Sequence, residues 1–169
     1  MRLLLTAFLL TFTISSSAQT IFPTWFHQSF KEKHLDRKFS ITPFLKKGML
    51  QADFNGDKLT DIAVLATEKG TGKKGILLFH QQGSYFVFGA GTKFGSGSDD
   101  FEWANGWEVY REKTASETRF GENGDIIGGR EVKLQRPGIT IWAEEDGHLF
   151  AGGIIYWTGQ TYIWIHQGE

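Results

Sequence analysis

From residue 61 onwards the hydrophobic positions come in short bursts separated by polar, glycine-bearing gaps. Residues 61–67 (DIAVLAT), 75–79 (GILLF) and 85–88 (YFVF) are three apolar runs, and the gaps between them, EKGTGKK and HQQGS, are rich in turn residues. That pattern predicts an antiparallel meander. Residues 139–143 (ITIWA), 153–157 (GIIYW) and 162–165 (YIWI) repeat the plan, with connectors at 144–152 and 158–161. Ile62, Val64 and Ala66 align with Ile139, Ile141 and Ala143, Gly75 and Ile76 with Gly153 and Ile154, and Tyr85 with Tyr162. The alignment reads as a degenerate duplication with units at about 50–90 and 121–169, although two unrelated meanders give a similar pattern. Residues 107–111, 117–120 and 130–135 read as further strands, and 89–98 (GAGTKFGSGS) as a flexible loop. Within the runs, apolar residues are consecutive rather than alternating, so the strands are expected to be buried on both faces or to have one face lined by aromatics.

Before the strands, residues 23–35 (PTWFHQSFKEKHL) predict the one helix, with Pro23 in its first turn and Trp25 or Phe26 forming an apolar stripe with Phe30. Residues 40–45 look irregular, and 46–48 a turn. The expected fold is mainly β, two blade-like antiparallel meanders packed as a small β domain with one short N-terminal helix. A complete propeller is excluded, because a blade takes about 40–45 residues and at least four are usual.

Residues 1–18 read as a signal peptide. Arg2 is a short basic region, residues 3–14 are a largely apolar run, and Ser16 and Ala18 stand at −3 and −1 of a cleavage site before Gln19. A buried N-terminal helix is the alternative. The run is too short for a bilayer core, which takes about 20 residues. The cleavage site has no cysteine for a lipid anchor. The expected product is residues 19–169, a single β-rich domain in the periplasm or outside the cell, with no membrane span.

Composition narrows the chemistry. Aromatics make up 15% of the chain and the net charge is −1, which argues against disorder. With 18 Lys and Arg against 19 Asp and Glu, there is no electrostatic case for nucleic acid. The chain has no cysteine, which excludes disulfides, a thiol nucleophile, thiolate zinc and thioredoxin chemistry.

One stretch carries definite chemistry. Residues 53–61 read DFNGDKLTD, placing side-chain oxygens at positions 1, 3, 5 and 9: Asp53, Asn55, Asp57 and Asp61. Leu59, at position 7, offers a backbone carbonyl. Ca²⁺ takes six to eight oxygens at roughly 2.3–2.6 Å, and odd-numbered spacing in a tight loop converges them. A metal-free loop of Asx turns has the same outline. An EF-hand is excluded, because position 12 is Val64 rather than a bidentate Glu and a strand follows instead of a helix. The loop and the strand after it resemble the calcium loop of the FG-GAP or VCBS-type repeat, over about residues 50–90. That resemblance implies one Ca²⁺ held by Asp53, Asn55, Asp57, Asp61 and the Leu59 carbonyl. The family usually has Gly at position 6. Here it is Lys58, which is strained if its φ is positive. Residues 121–129 (GENGDIIGG) keep only Asn123 and Asp125 of the four positions and read as a turn.

The remaining candidates are surface acids and aromatics. Asp99, Asp100 and Glu102 form one acidic cluster, Glu144, Glu145 and Asp146 another at a hairpin tip. Trp142, Tyr156, Trp157, Tyr162 and Trp164 crowd three neighbouring strands, either as core or as an exposed platform. The leading expectation is an exported, non-catalytic structural or interaction module stabilised by Ca²⁺, with an unknown protein or glycan as partner. The rivals are a carbohydrate- or protein-binding module using the aromatic face, and a small exported hydrolase using the acidic hairpins.

Overall fold

The computed structural model describes residues 22–168; the expected signal peptide, residues 1–18, lies outside the described residues. With 48% of residues in strands and 11% in helices, the chain is mainly β, and its sheets are antiparallel. Helix α1 spans Thr24–Glu32 and a single turn, α2, spans Leu35–Lys38. The strands are β1 Phe39–Ile41, β2 Met49–Ala52, β3 Asp61–Glu68, β4 Lys74–Phe79, β5 Tyr85–Gly89, β6 Gly106–Tyr110, β7 Thr114–Phe120, β8 Ile126–Lys133, β9 Gly138–Glu145, β10 His148–Trp157 and β11 Tyr162–Gln167.

The first sheet has the order β1-β3-β4-β5, and β2 also pairs with β3. β2 lies against residues 61–64 and β1 against 66–68, so the two share one edge of β3 in tandem. The second sheet has the order β11-β10-β9-β6, and β7 and β8 form a separate two-stranded sheet. Thus β2-β3-β4-β5 and β6-β9-β10-β11 are two meanders of the same order, the second interrupted by the β7–β8 hairpin. The aligned residues do not share a facing. Ile62, Val64 and Ala66 pack with α1, whereas Ile139 and Ile141 lie in the core between the sheets.

Consecutive burial along β3 and β4 follows from this layering. Ile62, Val64, Leu77 and Phe79 pack under Phe26, Phe30 and Leu35. From the other face of the same strands, Ala63, Leu65, Ile76 and Leu78 meet Trp107, Ile139, Ile141, Ile155 and Tyr162 of the second sheet. Burying each large side chain contributes about 1.5–3 kcal/mol, so this interlayer core is the main source of cohesion. Ala115, Val132 and Leu134 of the hairpin region cover Ile154, Tyr156 and Ile165 on the outer face of the second sheet.

The predicted single helix is two helices. His34 takes φ +55 and its amide donates to the Lys31 carbonyl at 2.9 Å. That left-handed residue turns the chain and puts Leu35 into the cluster of Phe26 and Phe30. The irregular segment expected at 40–45 begins as strand β1, and β2 follows the turn at 46–48. The expected connector 144–152 is a tight turn at Asp146 and Gly147, so β9 and β10 run longer than their apolar cores.

Candidate functional site

The loop at 53–61 is held by its own amides. Oδ1 of Asp53 accepts from the amides of Gly56 (2.6 Å) and Asp57 (3.0 Å), and Oδ2 from that of Lys58 (2.9 Å). The Asp57 amide also donates to Asn55 Oδ1 (2.9 Å), and the Leu59 amide to Asp57 Oδ1 (2.8 Å). Asn55 Nδ2 donates to Asp57 Oδ2 (2.8 Å). Lys58 sits at φ +71, the left-handed conformation that suits glycine at this position. The loop keeps its shape at the strain cost of a lysine there.

Asp61, the first residue of β3, is fully buried. Its carboxylate accepts from the amides of Phe54 (2.9 Å), Asn55 (3.3 Å) and Gln81 (3.2 Å). Burial nevertheless pushes its carboxyl up to about 6, with the amides pulling the other way. His80 lies nearby, its Nε2 4.0 Å from Asp61 and 2.7 Å from the Tyr162 hydroxyl. Burial holds His80 below its ordinary range and Tyr162 above its own. A buried polar chain therefore runs from the loop to the second sheet.

The donor set suits a hard cation: three carboxylates and one amide oxygen lie within nine residues, and carboxylate oxygens have lone pairs beyond those the amides engage. Among the described residues, no three His, Asp or Glu side chains converge on one point. Asp53 and Asp57 face loop amides rather than each other, the arrangement that like charges favour. Asp61 is fixed by three amides.

The five C-terminal aromatics divide between two faces. Trp157, Tyr162 and Trp164 pack on the interlayer core, with Tyr162 buried. Tyr156 lies on the opposite face, buried under the hairpin, and its hydroxyl accepts from the Gln135 amide at 2.9 Å. Trp142 is on that outer face too, half-buried and beyond the hairpin cluster. Of the two readings the sequence left open for these five, core or a single exposed platform, the platform is not assembled, and of the five only Trp142 borders the outer-face depressions.

Two depressions, each of about 310 Å³, flank Trp142. One is bounded by Glu108, Tyr110, Glu144, Leu149 and Gln167, the other by Lys46, Lys47, Asn105 and Glu108. The indole lies across Gly106 of the neighbouring strand, where a Cβ would come within 2.3 Å of the ring. Asn105 fixes the far end: its Nδ2 donates to the Glu144 carbonyl (2.6 Å) and its Oδ1 accepts from the Glu144 amide (3.0 Å). Glu108 and Gly106 went unrecognised in the sequence, although Glu108 breaks an apolar run in the way of an outward-facing strand residue.

Glu108 pairs with Thr140, so Glu144 lies four residues farther along β9, about 13 Å at the strand rise of about 3.3 Å. Trp142 stands between them. The backbone thus places the two acids on either side of the indole. The other acidic cluster is structural: Asp99 and Glu102 form ion pairs with Lys73 and Lys74, and Asp100 Oδ1 accepts from the Lys74 amide at 3.0 Å. Residues 121–125 form the β7–β8 turn. Comparisons with protein-family models, curated proteins and solved structures find no match for this chain.

Proposed function

We propose that the protein is an exported, non-catalytic structural or interaction module whose first sheet is stabilised by one Ca²⁺ in the 53–61 loop. The observation that carries this reading is the loop itself, where Asp53, Asn55, Asp57 and Asp61 put four oxygen-bearing side chains within nine residues at the entry to β3, six of whose eight residues are buried. The likeness to FG-GAP and VCBS-type loops supports the same ion. When bound, Ca²⁺ would neutralise three carboxylates that otherwise depend on amide dipoles. Lys58 accepts a left-handed backbone, and Asp61 ties the loop to β3 and to the amide of Gln81.

Thermal melts in Ca²⁺ and in EDTA test the proposal. Extracellular calcium modules bind at about 10⁻⁴–10⁻³ M. At a hundredfold excess over the dissociation constant, linkage adds roughly 2.7 kcal/mol, a Tm rise of about 5–11 °C for a domain of this size. Asp57→Ala abolishes the rise, and Asp57→Asn, which keeps one acceptor for the Leu59 amide but removes the charge, also reduces it. Superimposable melts of the unmutated protein rule the ion out.

Export has its own check. Mass spectrometry of the secreted protein is expected to find Gln19, free or cyclised, at the N-terminus. Recovery of Met1 or Arg2 in the exported product contradicts the signal-peptide reading.

A further inference from the structure

We propose that the outer face of the second sheet binds an uncharged polysaccharide chain, laid across Trp142 from the depression bounded by Glu144 to the one bounded by Lys46. The site is independent of the calcium loop, which precedes β3 of the first sheet.

The geometry supplies an aromatic floor. Trp142 and Glu108 border both depressions, so the two lie side by side about the indole. The Nε1–Cε2–Cζ2 side of the Trp142 indole approaches the neighbouring backbone at Gly106, where any side chain would displace it. An indole held at the surface offers an apolar face to the C–H groups of a sugar ring. Each depression is near the low end of the roughly 300–1,000 Å³ that small-molecule sites occupy, and together they run along the surface. That shape suits consecutive units of a chain better than a single enclosed ligand.

The polar groups name the ligand class. Glu108 and Glu144 are acceptors and Lys46 and Lys47 donors, while the Asn105 and Gln167 amides are engaged with the main chain. Two negative and two positive side chains cancel, so the face does not select for net charge. An anionic chain would meet Glu108 at the centre, and a cationic peptide would meet the lysines at one end. Hydroxyl groups, which both donate and accept, satisfy every one of these partners.

The site is also held in place. Thr140, Trp142 and Glu144 share one face of β9, and Gly106, Glu108 and Tyr110 share that face of the paired β6. The Asn105 side chain clamps the main chain of Glu144 with two hydrogen bonds. The Tyr110 hydroxyl donates to the Thr114 carbonyl at 2.8 Å, which fixes that ring. Groups fixed on strands lose little freedom when a ligand arrives.

The test is calorimetric and fluorescence titration of the folded protein, in Ca²⁺ and again in EDTA. The probes are the hexasaccharides of cellulose, xylan, chitin, mannan and laminarin, with oligogalacturonate and oligolysine as charged counterparts. At least one uncharged hexasaccharide is expected to bind saturably and to perturb tryptophan emission. Trp142→Ala should weaken it about tenfold or more while the melt shows a folded protein, and Trp142→Phe should retain part of the affinity. No binding by any uncharged probe overturns the proposal, as does equal binding by Trp142→Ala or preference for either charged probe. Saturable glycan binding with no calcium effect on the melt would refute the calcium reading alone. A calcium-dependent melt with no glycan bound would refute this one alone.

Discussion

Trp164→Ala is expected to destabilise the protein by about 3 kcal/mol, the lower end of the roughly 3–5 kcal/mol for aromatic truncation in a core. The position was ambiguous in sequence, because an alternating YIWI strand shows apolar residues on both faces. In the structure Trp164 sits on the inner face of β11, opposite Ile155 of β10. Its indole fills a slot between β10 and the loop at 94–97. A Cβ on Gly153 would come within 2.1 Å of the ring, and one on Gly95 within 2.3 Å of the Trp164 side chain. Phe94 and Phe101 pack against it with ring centroids 6.2 Å away in each case. Removing the indole leaves a cavity walled by glycines and strands that have nothing to move into it. Urea denaturation of the variant should show the loss as a lower midpoint with an unchanged slope. Trp142→Ala is the contrast, since that ring lies on the outer face outside the core clusters and its loss should leave the midpoint close to that of the unmutated protein. If the two variants exchanged these effects, the assignment of faces would be wrong.

The two tryptophans also show how far the sequence was legible. Six of the seven strands from β3 to β6 and β9 to β11 announced themselves as apolar bursts between turn residues, and in β3 and β4 the consecutive apolar character corresponds to cover on both faces. The reason is local: β3 and β4 carry Ile62, Val64, Leu77 and Phe79 toward the helix and Ala63, Leu65, Ile76 and Leu78 toward the second sheet. β2 escaped notice because MLQA is four residues long and owes its conformation to pairing with β3. His34 broke the helix through a backbone torsion that helical periodicity does not encode. The acids at 53–61 could be named from spacing, but spacing does not tell whether each carboxylate turns to an amide or to a common centre. The groove depends on a register between β6 and β9, which are separated by the whole β7–β8 hairpin. Only that pairing brings Gly106 beneath Trp142 and puts Glu108 and Glu144 on one face.

Truncation after Gly159 should yield an insoluble or unfolded chain. It removes all of β11, including Ile165, which is fully buried, and Tyr162, which is 7% exposed. Trp164 and Ile163 go with them, one from the interlayer core and one from the cluster beneath the hairpin. Each large apolar side chain is worth about 1.5–3 kcal/mol when buried, against about 5–15 kcal/mol for the stability of a whole domain. The loss does not stop at β11. Residues 152–157 of β10 would lose their partners and present an apolar unpaired edge, which favours aggregation. His80 would lose the Tyr162 hydroxyl at 2.7 Å, leaving a buried ring nitrogen unsatisfied beside Asp61. The β7–β8 hairpin would lose its tethers to the end of the chain, from Thr118 Oγ1 to the Gly168 carbonyl at 2.8 Å and from Gln167 to the Ser116 carbonyl. Expression of the truncated chain beside the full one, followed by circular dichroism of any soluble fraction, checks the outcome. A soluble product that still unfolds cooperatively would show that β11 is dispensable to the core and that the second sheet has been assigned wrongly.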